Sequence, residues 1–348
     1  MLDLMVTPAD FVALVNELGR KRRIIGPVAR GDRYFYEEVG DAARLELGFS
    51  YAVYGPKSFL FPAVETLFRF EADNGSFTAE PVYDDRPAAF VGVHPCDLHA
   101  IRLLDRVFAQ DRRDEHYLRR RGATMIIGID CARPCNEGVF CADMKCHQAD
   151  EGFDVMLLPL SDGDGNRRWG LKFGSAAGRE WLTYSRRCTA PTAADERAAE
   201  TFLRAKAAAF PRALTTRVER LPELLERSYD SLLWEATARR CYSCGSCNLT
   251  CPTCYCFDMS DSLDLSLTSG VRQRLWDGCQ LPGFALVAGN HNFRPRAAQR
   301  LRHRIFRKAK WIRERTGVAG CVGCGRCDRA CTAKISAVEI YNQLAELD

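Results

Sequence analysis

Cys241-Tyr242-Ser243-Cys244-Gly245-Ser246-Cys247-Asn248-Leu249-Thr250-Cys251-Pro252 and Cys321-Val322-Gly323-Cys324-Gly325-Arg326-Cys327-Asp328-Arg329-Ala330-Cys331-Thr332 share one cysteine spacing. Each reads C-x2-C-x2-C-x3-C, the run that holds a [4Fe–4S] cubane. A cubane needs four thiolates at the corners of a tetrahedron, and three closely spaced cysteines wrap three of its irons in one tight turn. The fourth cysteine of each run starts the next element and points away, so in two-cluster proteins it serves the other cluster. The spacing therefore predicts one cluster on Cys241, Cys244, Cys247 and Cys331. It predicts a second on Cys321, Cys324, Cys327 and Cys251. One such run alone could be a zinc site or chance; two matched runs favour clusters. Two clusters side by side carry single electrons.

Working outward, the span between the runs looks mostly helical in pattern. Small ferredoxins place their runs much closer, so wide spacing with helices between suggests an all-α, helical-ferredoxin dicluster domain over residues 215–348. Upstream, Leu221, Leu224, Leu225, Tyr229, Leu232 and Leu233 keep the helical period.

Residues 1–214 read as an α/β domain. Thr7 can cap a first helix whose apolar stripe is Phe11, Leu14, Val15 and Leu18, with Pro8 in its first turn and Gly19 as its stop. Short strands are expected around Tyr34–Tyr36 and Tyr51–Tyr54. Ala88–Val93 is a continuous apolar run, as in a buried parallel strand. His94-Pro95-Cys96 breaks it, and Asp97 can cap the helix carrying Leu98, Ile101, Leu104 and Phe108. A second buried strand, Thr124–Ile129, ends at Asp130-Cys131. If the two strands are parallel, Cys96 and Cys131 share the carboxyl edge, where open α/β sheets bind ligands. Further strands are expected at Val155–Leu158 and Trp169–Phe173, a turn at Gly163-Asp164-Gly165, and a helix from about Ala194 to Phe210.

The 348 residues suit about two domains. No apolar run approaches the ~18 residues of a membrane span. Met1-Leu2-Asp3-Leu4 lacks the basic start of a signal peptide. The 17 cysteines are odd in number and spaced for metal, so a reducing cytoplasm fits better than a disulfide framework. The net charge of +4 hides an asymmetry: residues 294–315 hold ten Arg or Lys and one acid, Glu314, for a local +9. That segment reads as a solvated helix face, or as cations that offset thiolate-ligated clusters or meet an acidic partner. No recognition motif accompanies it, so nucleic acid is not an expected partner.

Cys131, Cys135, Cys141 and Cys146 fall within sixteen residues after a predicted strand, and soft thiolates select Zn or Fe–S centres. They form a candidate third metal site, against the plainer reading of inert or redox-active thiols. Cys96 alone reads as a small buried apolar residue. Cys254, Cys256 and Cys279 are expected to pack near the clusters and tune them, and Cys188 to be structural. No G-x-G-x-x-G follows a strand and no G-x-x-x-x-G-K-[ST] occurs. The chain thus reads as able to pass electrons but not to exchange hydride, which falls to a partner.

These residues resemble a known family. The markers are Gly55-Pro56-Lys57 with Phe61-Pro62 and Glu65; Gly92-Val93-His94-Pro95-Cys96-Asp97 with Asp105; Phe140-Cys141; Cys251-Pro252-Thr253-Cys254-Tyr255-Cys256; Trp276-Asp277-Gly278-Cys279; Asn292-Phe293-Arg294-Pro295; and the run from Cys321 to Cys327. In this order they resemble the iron–sulfur β subunit of cytoplasmic sulfhydrogenases, the bidirectional NAD(P)-linked NiFe hydrogenases, and the corresponding iron–sulfur subunit of anaerobic sulfite reductase. Two departures stand out. Family members often carry Cys-Phe-Cys where this chain has Val139-Phe140-Cys141 with an added Cys135 and Cys146, and the second run ends in Thr332 instead of proline. The resemblance implies an electron-transfer subunit working beside a flavoprotein subunit that binds FAD and NAD(P), and a catalytic subunit bearing NiFe or sirohaem. Two rival readings are a stand-alone reductase built on the 131–146 loop, and a structural or nucleic-acid-binding iron–sulfur protein.

Overall fold

A computed structural model describes residues 2–73, 75–136, 138–161, 165 and 167–347. Gly163 and Asp164 of the expected turn lie outside the described residues. The main strands are β1 (Leu4–Val6), β2 (Arg23–Arg30), β3 (Arg33–Val39), β4 (Val64–Asp73), β5 (Ser76–Pro81), β6 (Ala88–Val93), β7 (Thr124–Ile129), β8 (Val155–Ser161), β9 (Arg167–Phe173), β10 (Phe257–Leu263) and β11 (Ser269–Trp276).

One sheet runs β1-β9-β8-β7-β6-β2-β3. Its centre, β2-β6-β7-β8, is parallel, and its flanks are antiparallel. Every residue of β6 and β7 is buried, which is why both read as unbroken apolar runs. Helix α1 (Pro8–Leu18) is capped by the Thr7 side chain, which accepts from the Asp10 amide. Helix α2 (Pro95–Ala109) follows β6, α3 (Glu115–Gly122) precedes β7, and α4 (Ala193–Ala209) starts in a capping box of Thr192 and Asp195. Two expectations change. His94, not Asp97, stands at the N-cap of α2, and Asp97 is buried in its first turn. Tyr51–Tyr54 is no strand; Ala52 makes only an isolated bridge to Tyr34.

The all-helical expectation for the C-terminal part is corrected by a second sheet, β10-β11-β4-β5, antiparallel throughout. Phe257, Met259 and Leu263 fall on alternate strand positions. The turn is tied by Asp264, which accepts from the Ser266 and Ser269 hydroxyls. β11 pairs with β4, so this sheet joins residues on both sides of position 214. Beneath it, Glu65 accepts from Arg120 at 2.5 Å and from Arg274, which also donates to Asp114. Apart from a short two-stranded ribbon, Leu286–Val287 with His291–Asn292, the remaining C-terminal elements are helical, chiefly Leu221–Arg227, Leu233–Ala238, α5 (Ala297–Phe306) with its wide-turn continuation to Thr316, and Ala337–Glu346.

Two apolar cores result. One covers both faces of the large sheet. The other gathers the C-terminal helices together with Cys96, Phe140, Cys141, Met144 and Cys146. The middle cysteine loop therefore packs into the C-terminal core, although β7 leads into it. Among the described residues, no helix is long and apolar enough to cross a membrane.

Candidate metal centre

The two cysteine runs share one backbone shape. Ser243 and Gly245 have φ of 53° and 74°, and Gly323 and Gly325 both have 67°. In each run the turn aims an amide at the first thiol: Ser243 N to Cys241 Sγ and Gly323 N to Cys321 Sγ, both 3.4 Å. Each loop then enters a short helix, Ser246–Leu249 or Arg326–Ala330, and the two helices pack together. Cys251 and Cys331 follow these helices at equivalent places.

Cys321, Cys324 and Cys327 line one narrow cavity with Cys251, which comes from the other run. Burial is the main force pushing these thiols up, to about 11 at Cys321 and about 12 at Cys324, and the charge of Cys251 adds to it. Metal ligation here must therefore release protons. The donor set and the apolar enclosure fit a cubane. Cys241, Cys244 and Cys247 stand around the first turn, Cys244 exposed and the other two half-buried. Cys331 accepts from Ile335 N at 3.3 Å.

Buried cations face the thiolates. Arg300, Arg304 and Lys308 recur every four residues along α5 and its continuation, and all three are buried. Arg304 and Lys308 line the Cys251 cavity. Burial opposes the Lys308 charge, but Cys251, Cys254 and Cys321 outweigh it and hold the ammonium above its ordinary pKa. Arg304 is raised in the same way by Cys247, Cys327, Cys251 and Cys254 against the same burial cost. Lys308 also donates to Thr253 Oγ1 at 2.7 Å. Arg300 donates to Ser243 Oγ at 2.8 Å and to the carbonyls of Gln280, Arg294 and Pro295, bracing the first turn. Buried charge persists only where it is paired, so Arg304 and Lys308 counter thiolate charge. Other cations of the segment meet carboxylates: Lys310 reaches Glu226 at 2.9 Å and Arg315 reaches Asp111 at 2.6 Å. The +9 segment is thus no free basic stripe.

Cys254 and Cys279 converge on Asn248 Nδ2, at 3.7 and 3.4 Å, behind the first turn. Cys256 is half-buried, and Cys188 packs at the edge of the sheet core.

The second run is clamped to the carboxyl edge of the large sheet. Arg326 holds Asp97 through two bonds of 2.6 and 2.7 Å and donates to Ala52 O at 2.8 Å. No local rule reports this pair, because Asp97 next to a strand end reads as a cap. Phe140 N donates to Gly323 O at 2.9 Å. A Cβ on Gly323 would lie 2.5 Å from the Phe140 carbonyl, so only glycine lets the middle loop approach.

The middle loop brings its cysteines together. Cys131, Cys135, Cys141 and Cys146 line a second narrow cavity, joined by Cys96, His94, His147 and Cys324. Cys96, which by itself reads as a small buried apolar residue, shares the site, at the carboxyl edge that the parallel strands lead one to expect it to share with Cys131. Ligand atoms of His94, Cys131 and Cys135 all lie within 4.8 Å of one another.

Residues 240–335 match the pattern of a 4Fe-4S dicluster domain. The chain is 33% identical over 339 residues to Sulfhydrogenase 2 subunit beta of Pyrococcus furiosus, covering 97% of this chain and 96% of that protein. No solved structure matches.

Proposed function

The chain belongs to the sulfhydrogenase beta-subunit family of iron–sulfur electron-transfer subunits, and from that premise we propose that it relays single electrons between two partners. One is a flavoprotein subunit that binds FAD and NAD(P). The other is a catalytic subunit of NiFe-hydrogenase or sirohaem type. In this reading the chain holds two [4Fe–4S] clusters, one on Cys241, Cys244, Cys247 and Cys331 and one on Cys321, Cys324, Cys327 and Cys251, and works in the cytoplasm. The observation that carries it is the cavity in which Cys251 of the first run stands with the three cysteines of the second.

Bound clusters supply one-electron chemistry and no hydride step. The chain's own residues hold them, exclude water, and offset charge. Arg304 and Lys308 face the thiolates from within the core. Thr253 and the turn amides supply polar contacts to the ligand thiols that set the potential. Isolation of the native complex tests the proposal. The chain should co-purify with a flavoprotein and with nickel or sirohaem. Substrate turnover by the chain purified alone would favour the stand-alone reductase instead.

A further inference from the structure

The second narrow cavity is a built site that the two-cluster relay leaves unused. Its walls bear five cysteines, Cys96, Cys131, Cys135, Cys141 and Cys146. Cys96, Cys141 and Cys146 are buried, while Cys131 and Cys135 also form part of the wall of an open cleft. They come from three separate places: the start of α2, the end of β7, and the following loop. Two imidazole nitrogens on the same walls, His94 Nδ1 and His147 Nδ1, are buried without a hydrogen-bond partner among the described residues. His94 itself is 5% exposed. Buried polar atoms left without partners are rare in folded proteins and call for a bound group.

Three features select the class of that group. The donors are soft thiolates, which suit zinc or iron–sulfur centres. They number five around one space, enough to supply the four thiolates of a cubane. Cys324 lines this cavity as well as the cavity it shares with Cys251.

We infer that this cavity holds a third iron–sulfur cluster, ligated by Cys96, Cys141, Cys146 and one member of the Cys131–Cys135 pair. The inference rests on the relay reading for its role, as the station next to the cluster of Cys251, Cys321, Cys324 and Cys327. One electron lost by that cluster is the electron gained by the third, across Cys324, with no atom or proton transferred. The third cluster then stands behind the floor of the open cleft, ≈ 820 Å³ in volume, at the carboxyl ends of β6, β7 and β8. That cleft is where electrons enter or leave.

Iron and acid-labile sulfide should be counted on the full chain, prepared anaerobically. The expected content is about 12 iron and about 12 sulfide per chain, four of each per cubane. Cys96→Ser, Cys141→Ser and Cys146→Ser should each lower iron to about 8. Cys131→Ser and Cys135→Ser should each leave it unchanged, and the double variant should lower it like the others. Cys188→Ser is the control. Should a variant fail to fold, spin counting on the fully reduced wild-type chain decides, with about three spins per chain expected, one per cubane. About 8 iron in fully loaded wild-type protein, or about 8 iron with one zinc, would overturn the inference. Failure of the relay reading looks different, because the iron count would stand while a flavoprotein partner failed to reduce any cluster.

Discussion

Replacing Arg326 by Met removes the clamp between the second cysteine run and the large sheet. Arg326 and Asp97 are 2% and 1% exposed, and their two charge-assisted bonds measure 2.6 and 2.7 Å. Unit charges ~4 Å apart at an effective dielectric of ~20 attract by ~4 kcal/mol. Removing one partner also leaves the Asp97 carboxylate buried and uncompensated. No room for water opens on the Gly55 side, where an added Cβ would already stand 2.8 Å from Asp97 Oδ1. Loss of one member of a buried pair costs about 3–5 kcal/mol, and that is the expected destabilisation for Arg326→Met. Asp97→Asn should cost less, since the amide keeps the shape. The double variant should be milder than the sum, with a coupling of about 2 kcal/mol or more. The assay is anaerobic guanidinium unfolding followed by both circular dichroism and cluster absorbance. Iron should leave Arg326→Met early, before the sheet unfolds. A single-variant cost under about 1 kcal/mol, or strict additivity in the double variant, would refute the claim that the pair anchors the cluster loop.

Cys331→Ala should damage the cluster held by Cys241, Cys244 and Cys247, and Cys251→Ala the other; loss confined to a cysteine's own run would refute the crossed ligation. Gly323→Ala should strip iron from the second run, because its φ of 67° costs an L-residue about 1–2 kcal/mol before the clash with Phe140; Gly283→Ala, with no atom within 4 Å of the added Cβ, is the neutral control. Lys308→Met should make the potential of the nearby cluster more negative by roughly 50 mV or more, since a buried cation favours the added electron; redox titration followed by spin resonance would show it, and an unchanged potential would argue against charge offset. His303 is held down to about 4 by burial, with Arg294 and Arg307 adding to the effect, against 6.5 for the free side chain. The unfolded chain therefore binds the extra proton first as pH falls from 6.5, and stability should drop through that window down to about 4; His303→Gln should flatten this part of the melting profile, and an unchanged slope would refute the assignment.

The cysteine spacing and the two all-buried strands were readable because each obeys a short-range rule. The position of Cys251 beside Cys321, Cys324 and Cys327 also follows from spacing, through the fourth cysteine's exit from the turn. What the sequence hid was long-range pairing. β10 and β11 alternate as strands do, but their edge is completed by β4, about two hundred residues earlier, and no local pattern reports that. Asp97 satisfies the local rule for a cap, and only the arrival of Arg326 assigns it elsewhere. The basic segment carried a readable signal in the four-residue spacing of Arg300, Arg304 and Lys308. Which face of that helix is buried depends on the cluster turns packed against it. Cys96 looked like a lone thiol because its companions come from a loop that docks through a glycine of the second run.

The relay itself is tested most directly by anaerobic stopped-flow reduction of the flavin-free chain, with and without a flavoprotein partner, NAD(P)H being the reductant. Cluster bleaching should be absent in the chain alone and rapid once the flavoprotein is added, because a flavin splits a hydride into single electrons and the clusters cannot. Rapid, stoichiometric reduction of the clusters by NAD(P)H in the chain alone would contradict it.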